Sequence, residues 1–368
     1  VSGGPVGVGV IGAGVVSNHY LENLTRFPDL NVRMVADLVA EAASAQAAKY
    51  GVPRAGTVAE LLADPAIELV VNLTVPAAHV EVGIAALEAG KHVWTEKPLA
   101  LDRETARKLL DRAREKGLRV AGAPDTVLGA GLQTARRAVE TGRIGEPRTA
   151  LAMFQTPGPE SWHPAPEFLY APGAGPLLDM GPYYLTALVG LLGPVRRVTG
   201  AGGRTRATRV IGSGPRAGTE FAVAVPTTVT ALVEFEHGGS AQLVLSFDSA
   251  LRRALLEVNG TDGTAVLPDP NYFGGATLLH LPDQTEPAEL EPRGHGASRG
   301  TGTLELARAL RAGVPERASG ELAYHVLDTL LAIEESIVRG DPVPVTSTVE
   351  VPPPLPEDWD PYASTLST

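Results

Sequence analysis

At 368 residues, with 44% hydrophobic and 20% charged side chains, the chain exceeds one ordinary hydrophobic core and reads as a folded protein of two domains rather than a disordered one. A formal net charge of -11 with no offsetting basic run disfavours nucleic acid or an anionic membrane surface as a partner. Cysteine is absent, which removes disulfides and thiolate chemistry, no secretory segment is read, and no apolar run is long enough to span a bilayer, so a cytoplasmic location is expected.

In chain order, residues 6–11 read as a buried strand, Gly12-Ala13-Gly14-Val15-Val16-Ser17 as a tight turn, and residues 18–27 as a helix, which matches a dinucleotide-binding turn. Gly12 lets the chain turn sharply, and Gly14 lets backbone approach a pyrophosphate. The helix N-terminus presents unpaired N–H groups to the anion, and Val15 and Val16 of the turn join the cofactor-binding residues. Ser17 stands where the strict pattern has a third glycine, a tolerable change because that position sets helix–strand packing. Residues 31–36 read as the second strand, and Asp37 at its carboxyl end is spaced to bind a ribose 2′-hydroxyl. An anion there repels a 2′-phosphate, and no cation follows in Leu38-Val39-Ala40-Glu41, which argues for NAD over NADP. The plainer alternative is that Asp37 caps the next helix.

Strands at 67–73, 92–95 and 118–121 alternate with helices at 77–89 and 103–116, and Gly51, Gly90 and Gly117 sit where left-handed helix ends are needed. Such alternation specifies a parallel sheet covered by helices, with ligands at the carboxyl ends of its strands. Gly12, Asp37, Thr74, Pro76 and Glu96-Lys97-Pro98 converge there, and Lys97 places a cation where a nicotinamide ring should lie. His79 joins this cofactor-binding set from a core or supporting position.

Near residue 125 the pattern changes, so the domains are expected at 1–125 (dinucleotide-binding) and 126–368 (substrate-binding and oligomerisation). After a helix at 132–141, residues 228–236 and 240–247 alternate with period two across His237-Gly238-Gly239, an antiparallel hairpin, and Asn259-Gly260 marks a second tight turn. Helices at 303–311 and 321–339 complete an α+β second domain. The segment 282–302 reads as a mobile loop, and the tail at 351–361 as extended. Arg196, Arg197, Arg204, Arg206 and Arg209 read as a solvated face, with an anionic-substrate contact as the lesser alternative. A sheet with a broad open face favours a homodimer or homotetramer.

The glycine turn, the run Glu88-Ala89-Gly90-Lys91-His92-Val93-Trp94-Thr95-Glu96-Lys97-Pro98 and the run from Gly173 to Asp179-Met180-Gly181 resemble the Gfo/Idh/MocA family of glucose-fructose oxidoreductase and inositol dehydrogenase. The resemblance spans essentially the whole chain. It implies an N-terminal Rossmann domain and a C-terminal α+β domain with a largely antiparallel open sheet. It also implies a nicotinamide cofactor, oxidation or reduction of sugars, polyols or related carbonyls, and a cis Lys97–Pro98 bond. Carried over by position, the family's lysine is Lys97 and its aspartate Asp179. Its acid–base residue, often histidine, is here Tyr183, as in several sugar and diol oxidoreductases of the family, and a further polar position is Thr186.

Chemistry supports the pairing independently, because hydride transfer to a carbonyl leaves an alkoxide that needs a proton. A phenol such as Tyr183 donates one when a nearby ammonium such as Lys97 lowers its pKa. Asp179 would orient the lysine or bind a substrate hydroxyl, its plainer alternative being a helix cap. In Ser161-Trp162-His163-Pro164, tryptophan and histidine suit a sugar by stacking and hydrogen bonding, with simple packing as the alternative. His325 reads as a core residue or as one that supports the site from behind. No His-Glu-x-x-His or Gly-x-Ser-x-Gly pattern supports a metal site or a serine hydrolase. Two rival activities share the fold: glycoside cleavage through transient sugar oxidation, and dinucleotide binding without turnover.

Overall fold

The computed structural model describes residues 3–366. They divide into two compact units, the first built from the chain up to Ala130 together with Arg293–Tyr324 and the stretch from Pro352 onward, the second from Gly131–Pro292 and His325–Val351.

The first unit alternates strictly: β1 (Val6–Ile11), α1 (Val15–Leu24), β2 (Leu30–Ala36), α2 (Ala40–Tyr50), β3 (Arg54–Gly56), α3 (Val58–Ala63), β4 (Leu69–Asn72), α4 (His79–Glu88), β5 (His92–Thr95), α5 (Arg103–Lys116) and β6 (Val120–Gly122). The strands form one parallel sheet in the order β3-β2-β1-β4-β5-β6, the doubly wound arrangement. Every residue of β1 and β4 is buried, as expected for strands covered on both faces. Helix ends follow local chemistry. Thr57 and Glu60 form a capping box on α3, the Asp102 carboxylate accepts from Thr105 N at the start of α5, and Gly51 and Gly117 close α2 and α5 at φ 67° and 64°.

The second unit holds α6 (Ala130–Glu140, entering from the first), β7 (Pro147–Gln155), α7 (Gly175–Leu192), β8 (Val195–Gly203), β9 (Thr208–Val210), β10 (Glu220–Ala222), β11 (Thr228–Phe235), β12 (Ser240–Ser246), β13 (Arg253–Gly260), β14 (Thr264–Leu267), β15 (Thr277–His280) and β16 (Ala288–Leu290). The chain then passes through α8 (Thr301–Ala312) in the first unit and α9 (Gly320–Arg339), and ends its regular structure at β17 (Val343–Pro344). Nine strands make one mixed sheet, β16-β15-β14-β13-β7-β12-β11-β8-β17, in which only β7 and β12 run parallel. The β11–β12 hairpin has the expected register, and Val229, Ala231, Val233 and Phe235 face inward. Helix α7 lies on β7, β11 and β12, while the Ser336 hydroxyl of α9 accepts from Gly200 N of β8 at 2.8 Å. Strands β9 and β10 form a separate ribbon.

Several expectations are corrected. Residues 293–324 return to the first unit, because Leu304, Leu306 and Ala307 of α8 join the core of Val8, Tyr20 and Trp94. The final residues return as well. Buried Asp29 accepts from Thr365 N and Leu366 N at 2.9 Å each, from the Thr365 hydroxyl at 2.6 Å and from Arg308 Nε at 2.8 Å. Asn259-Gly260 is not a turn. Both residues lie in β13, and the chain reverses at residues 261–263, with Gly260 N donating to Gly263 O. The segment 282–302 is built into the structure through β16 and through Ala297, which is buried in the core of the first unit. Arg209 is buried rather than solvated, because two carboxylates surround its guanidinium. No helix of the described residues is long and apolar enough to cross a membrane.

Candidate active site

The carboxyl edge of the parallel sheet gathers the first group of residues. Gly12 follows β1 at φ +104°, and a Cβ there would lie 2.5 Å from the Leu73 carbonyl oxygen, so only glycine lets the two loops meet. Helix α1 starts at Val15, three residues earlier than periodicity suggested, which puts Val15 and Val16 in its first turn. Gly14 is the N-cap, and no side chain caps the end. The first amides of α1 therefore remain directed at whatever anion approaches the turn. Ser17 is fully buried and donates to Gly14 O at 2.6 Å, so the small residue serves packing where the strict motif has glycine.

Asp37 extends the same edge. One carboxylate oxygen accepts from Ala13 N at 2.7 Å and the other from Val39 N at 2.9 Å. The first bond ties the glycine turn to the end of β2. Helix α2 is capped at Val39 without a side-chain bond, so Asp37 is not its cap. Leu38, 98% exposed, presents an apolar neighbour beside the carboxylate instead of a cation.

Beyond β4, the Thr74 hydroxyl donates to Asn72 Oδ1 at 2.7 Å, and Pro76 opens a short 3-10 turn into α4. His79 is 1% exposed, with Nδ1 at 2.7 Å from Pro98 O and Nε2 at 3.0 Å from Thr74 O. It braces the loop after β4 against the loop after β5 from beneath. Glu96 and Lys97 follow β5 directly, and the Lys97–Pro98 bond is cis. A second cis bond, Ala123–Pro124, carried no sequence signal beyond the proline itself. The Glu96 carboxylate accepts from Lys97 N at 3.0 Å and from the Tyr20 hydroxyl at 2.7 Å, and Trp94 Nε1 donates to that hydroxyl at 3.3 Å.

This buried support was not foreseen. Burial, then the Glu96 charge, raises the pKa of the Tyr20 hydroxyl, keeping it a donor. Burial likewise pushes Asp125 up to about 6 while it accepts from Gly300 N at 2.9 Å and Gly302 N at 3.1 Å. Nothing in the spacing of Tyr20, Glu96 and Asp125 marks them as neighbours.

The second unit carries the other residues. Asp179 and Tyr183 lie four apart on α7, hence on one face. The helix starts at Gly175 with Ala174 as N-cap, so Asp179 lies in its second turn and is not a cap. The Thr186 hydroxyl donates to Pro182 O at 2.6 Å, one turn back within the same helix. Tyr184, adjacent to Tyr183, is fully buried and its hydroxyl has no hydrogen-bond partner among the described residues; burial raises its pKa. Trp162 and His163 follow a short 3-10 turn, Pro159–Ser161, with their rings 5.4 Å apart in edge contact. His163 Nδ1 accepts from Ala165 N at 3.0 Å. His325 is buried, its Nε2 accepting from Val195 N at 2.9 Å and its Nδ1 lying 2.9 Å from the Ser347 hydroxyl. Burial lowers its pKa, as suits a ring that must accept.

Comparison with known proteins agrees with this layout. Residues 6–123 match the profile of the oxidoreductase family with an NAD-binding Rossmann fold, and residues 132–266 match the GFO/IDH/MocA C-terminal domain. A 1,5-anhydro-D-fructose reductase of Ensifer adhaerens is 30% identical over 70% of this chain and 74% of its own length. A trans-1,2-dihydrobenzene-1,2-diol dehydrogenase of Bos taurus is 27% identical over 71% and 74% respectively. The crystal structure of a levoglucosan dehydrogenase with NADH and L-sorbose superposes at a TM-score of 0.82 over 93% of this chain and 99% of that one, at 20% identity, a likeness of fold. With its glycine turn, its acid after β2 and both family domains in place, the chain belongs to the GFO/IDH/MocA family of NAD-binding oxidoreductases.

Proposed function

We propose that this protein interconverts an alcohol and a carbonyl on a sugar-like substrate, using NAD rather than NADP, with Lys97 and Tyr183 handling the proton. The observation that carries the cofactor preference is Asp37, bonded to the glycine turn at 2.7 Å and flanked by apolar Leu38 and Val39 with no cation. Gly12, Gly14, Val15 and Val16 suit a pyrophosphate, and Thr74, Pro76 and the Glu96-Lys97-Pro98 loop suit the nicotinamide half, with His79 bracing their backbone.

When bound, the cofactor supplies or accepts the hydride, and the protein supplies position and field. The Lys97 ammonium polarises the substrate oxygen and favours the phenolate form of Tyr183. The Tyr183 hydroxyl then gives a proton to that oxygen during reduction and takes it back during oxidation. Asp179 orients the ammonium or holds a substrate hydroxyl, and Trp162 with His163 meets the sugar ring. Under this reading the first unit is the cofactor domain and the second the substrate domain. The nine-stranded sheet supports assembly as a homodimer or homotetramer, and the lack of cysteine supports a cytoplasmic setting. The names of the reductase and dehydrogenase relatives support the substrate class.

The test is the absorbance of reduced nicotinamide when the protein meets NAD or NADP with sugars, inositols, polyols and glycosides. Reduced cofactor is expected from NAD with a sugar or polyol. Cleavage of a glycoside without net reduced cofactor would replace this reading with that of a glycosidase, and cofactor binding with no turnover would replace it with that of a regulator.

A further inference from the structure

A single buried cation holds the loop that connects β7 to α7. Arg209 of β9 is 6% exposed. One of its terminal nitrogens donates to Pro157 O at 3.0 Å and to the Glu160 carboxylate, and the other donates to Phe247 O at 3.0 Å and to the Asp248 carboxylate. The guanidinium carbon lies 5.2 Å from the centroid of the Tyr170 ring, and the Tyr170 hydroxyl donates to Glu160. Both ends of the loop, Pro157 and Tyr170, thus meet the same guanidinium. Asp248 in turn is anchored at the end of the large sheet by the hydroxyls of Thr205, Thr227 and Thr228 at 2.7, 2.6 and 2.9 Å.

Backbone geometry agrees. Gly158 takes φ +112°, and a side chain there would run into Glu160, Arg209 and Tyr170. Gly212 N donates to Glu160 O at 2.8 Å, and Ala224 N to Tyr170 O at 2.9 Å, so the β9–β10 ribbon and the loop form one piece around the cation. The outer part of the loop is apolar and open. Trp162 and Phe168 are 61% and 58% exposed and flank His163 at ring separations of 5.4 and 5.3 Å, both edge-on. Exposed aromatic faces beside an imidazole suit the C–H faces and hydroxyls of a polyol or sugar ring.

We infer that Arg209 is a positioning residue for substrate specificity. It clamps the two ends of the 157–170 loop and thereby sets where Trp162, His163 and Phe168 meet the substrate. The ligand class rests on the oxidoreductase reading above. A planar fork serving four acceptors cannot be replaced by a point charge, so lysine restores the function only in part.

The experiment uses Arg209→Met, Arg209→Lys and Phe168→Ala in the full chain, with hydrogen exchange of the 157–170 segment and steady-state kinetics on the best substrate of the panel. Arg209→Met is expected to speed exchange in that segment and raise the substrate KM about tenfold, with kcat and the cofactor KM within about twofold, the signature of lost uniform binding. Arg209→Lys falls between Arg209→Met and the parent, and Phe168→Ala raises the substrate KM without altering exchange. Faster exchange with an unchanged substrate KM would overturn the specificity role, and unchanged exchange would overturn the clamp. A fall in kcat with a comparable rise in the cofactor KM would mark Arg209 as merely structural and overturn the specificity role. A parent protein that binds NADH but turns over nothing in the panel refutes the oxidoreductase reading and the specificity role with it, while the exchange arm still decides whether Arg209 clamps the loop.

Discussion

Replacing Asp37 with serine is expected to move cofactor preference from NAD toward NADP. The carboxylate offers about four lone-pair sites, of which Ala13 N and Val39 N take one each. The remaining sites can accept ribose hydroxyls. Losing hydrogen bonds to a charged acceptor costs about 1.5–3 kcal/mol, or roughly 10- to 150-fold in affinity. The same change removes a charge that repels a 2′-phosphate, and Leu38 and Val39 add no attraction of their own. Together these terms shift the ratio of kcat/KM for NAD over NADP by on the order of a hundredfold, mostly through weaker NAD binding. A serine hydroxyl can still accept from Ala13 N, which keeps the glycine turn in place. Titration of intrinsic fluorescence with NADH and NADPH, followed by initial rates with each cofactor, reads both parts. A ratio that moves less than about threefold (well under 1 kcal/mol) would show that the ribose does not lie at Asp37, and the preference for NAD would lose its basis.

Lys97→Ala and Tyr183→Phe should each lower kcat by about 10²- to 10⁴-fold while leaving NADH affinity within a few-fold, the pattern of lost general acid–base assistance; full turnover by either variant would sink the proposed proton path. Gly12→Ala brings a Cβ to 2.5 Å from Leu73 O at a φ of +104°, and backbone strain of about 1–3 kcal/mol should appear as a lower Tm and weakened NADH binding. Tyr184→Phe removes a buried hydroxyl that has no partner among the described residues, so the variant is expected to gain roughly 1 kcal/mol in a denaturant titration, whereas a loss would reveal a partner. Burial, then Arg119, lowers His92 to about 4, and its neutral Nδ1 accepts from Arg119 N at 3.0 Å. Because the folded pKa lies below the unfolded one, His92 contributes stability that is fully present above about pH 6.5 and is lost as pH falls toward 4, on the order of 2–3 kcal/mol. His92→Asn should flatten that part of the pH profile. Asp125 acts with the opposite sign, since its raised pKa of about 6 lets the fold gain stability as pH drops from 6 toward 4.

Local periodicity made much of the architecture legible. The apolar run of β1 with its glycine turn, the bounds of β5 and α5, and the period-two faces of β11 and β12 all follow from short-range rules that tertiary packing did not override. What stayed hidden depends on partners distant in sequence. The apolar face of α8 says that the helix is buried but not against what, and the structure sets it on the core of the first unit. Asn259-Gly260 has turn composition, yet the pairing of Asn259 with Thr264 carries β13 through both residues. Arg209 sits among other arginines, and only the fold brings Glu160 and Asp248 to it. At the candidate site the glycines, Asp37 and Lys97 stood out because the proposed chemistry calls for those residue types. Tyr20 and Glu96 act through hydrogen bonds across 76 positions, which no spacing reveals.

Asp29 imposes an order of events on the making of this protein. Its carboxylate sits near the beginning of the chain, and its partners are Arg308, Thr365 and Leu366. A ribosome delivers Arg308 only after residues 131–292 of the second unit, and Thr365 and Leu366 only after that whole unit has emerged. The parallel sheet pairs only strands within residues 6–122, so it can form early, whereas the Asp29 side chain cannot complete its hydrogen bonding in the usual head-first sequence of domain folding. A nascent chain stalled before residue 365 would carry the Asp29 carboxylate still lacking the Thr365 and Leu366 amide donors.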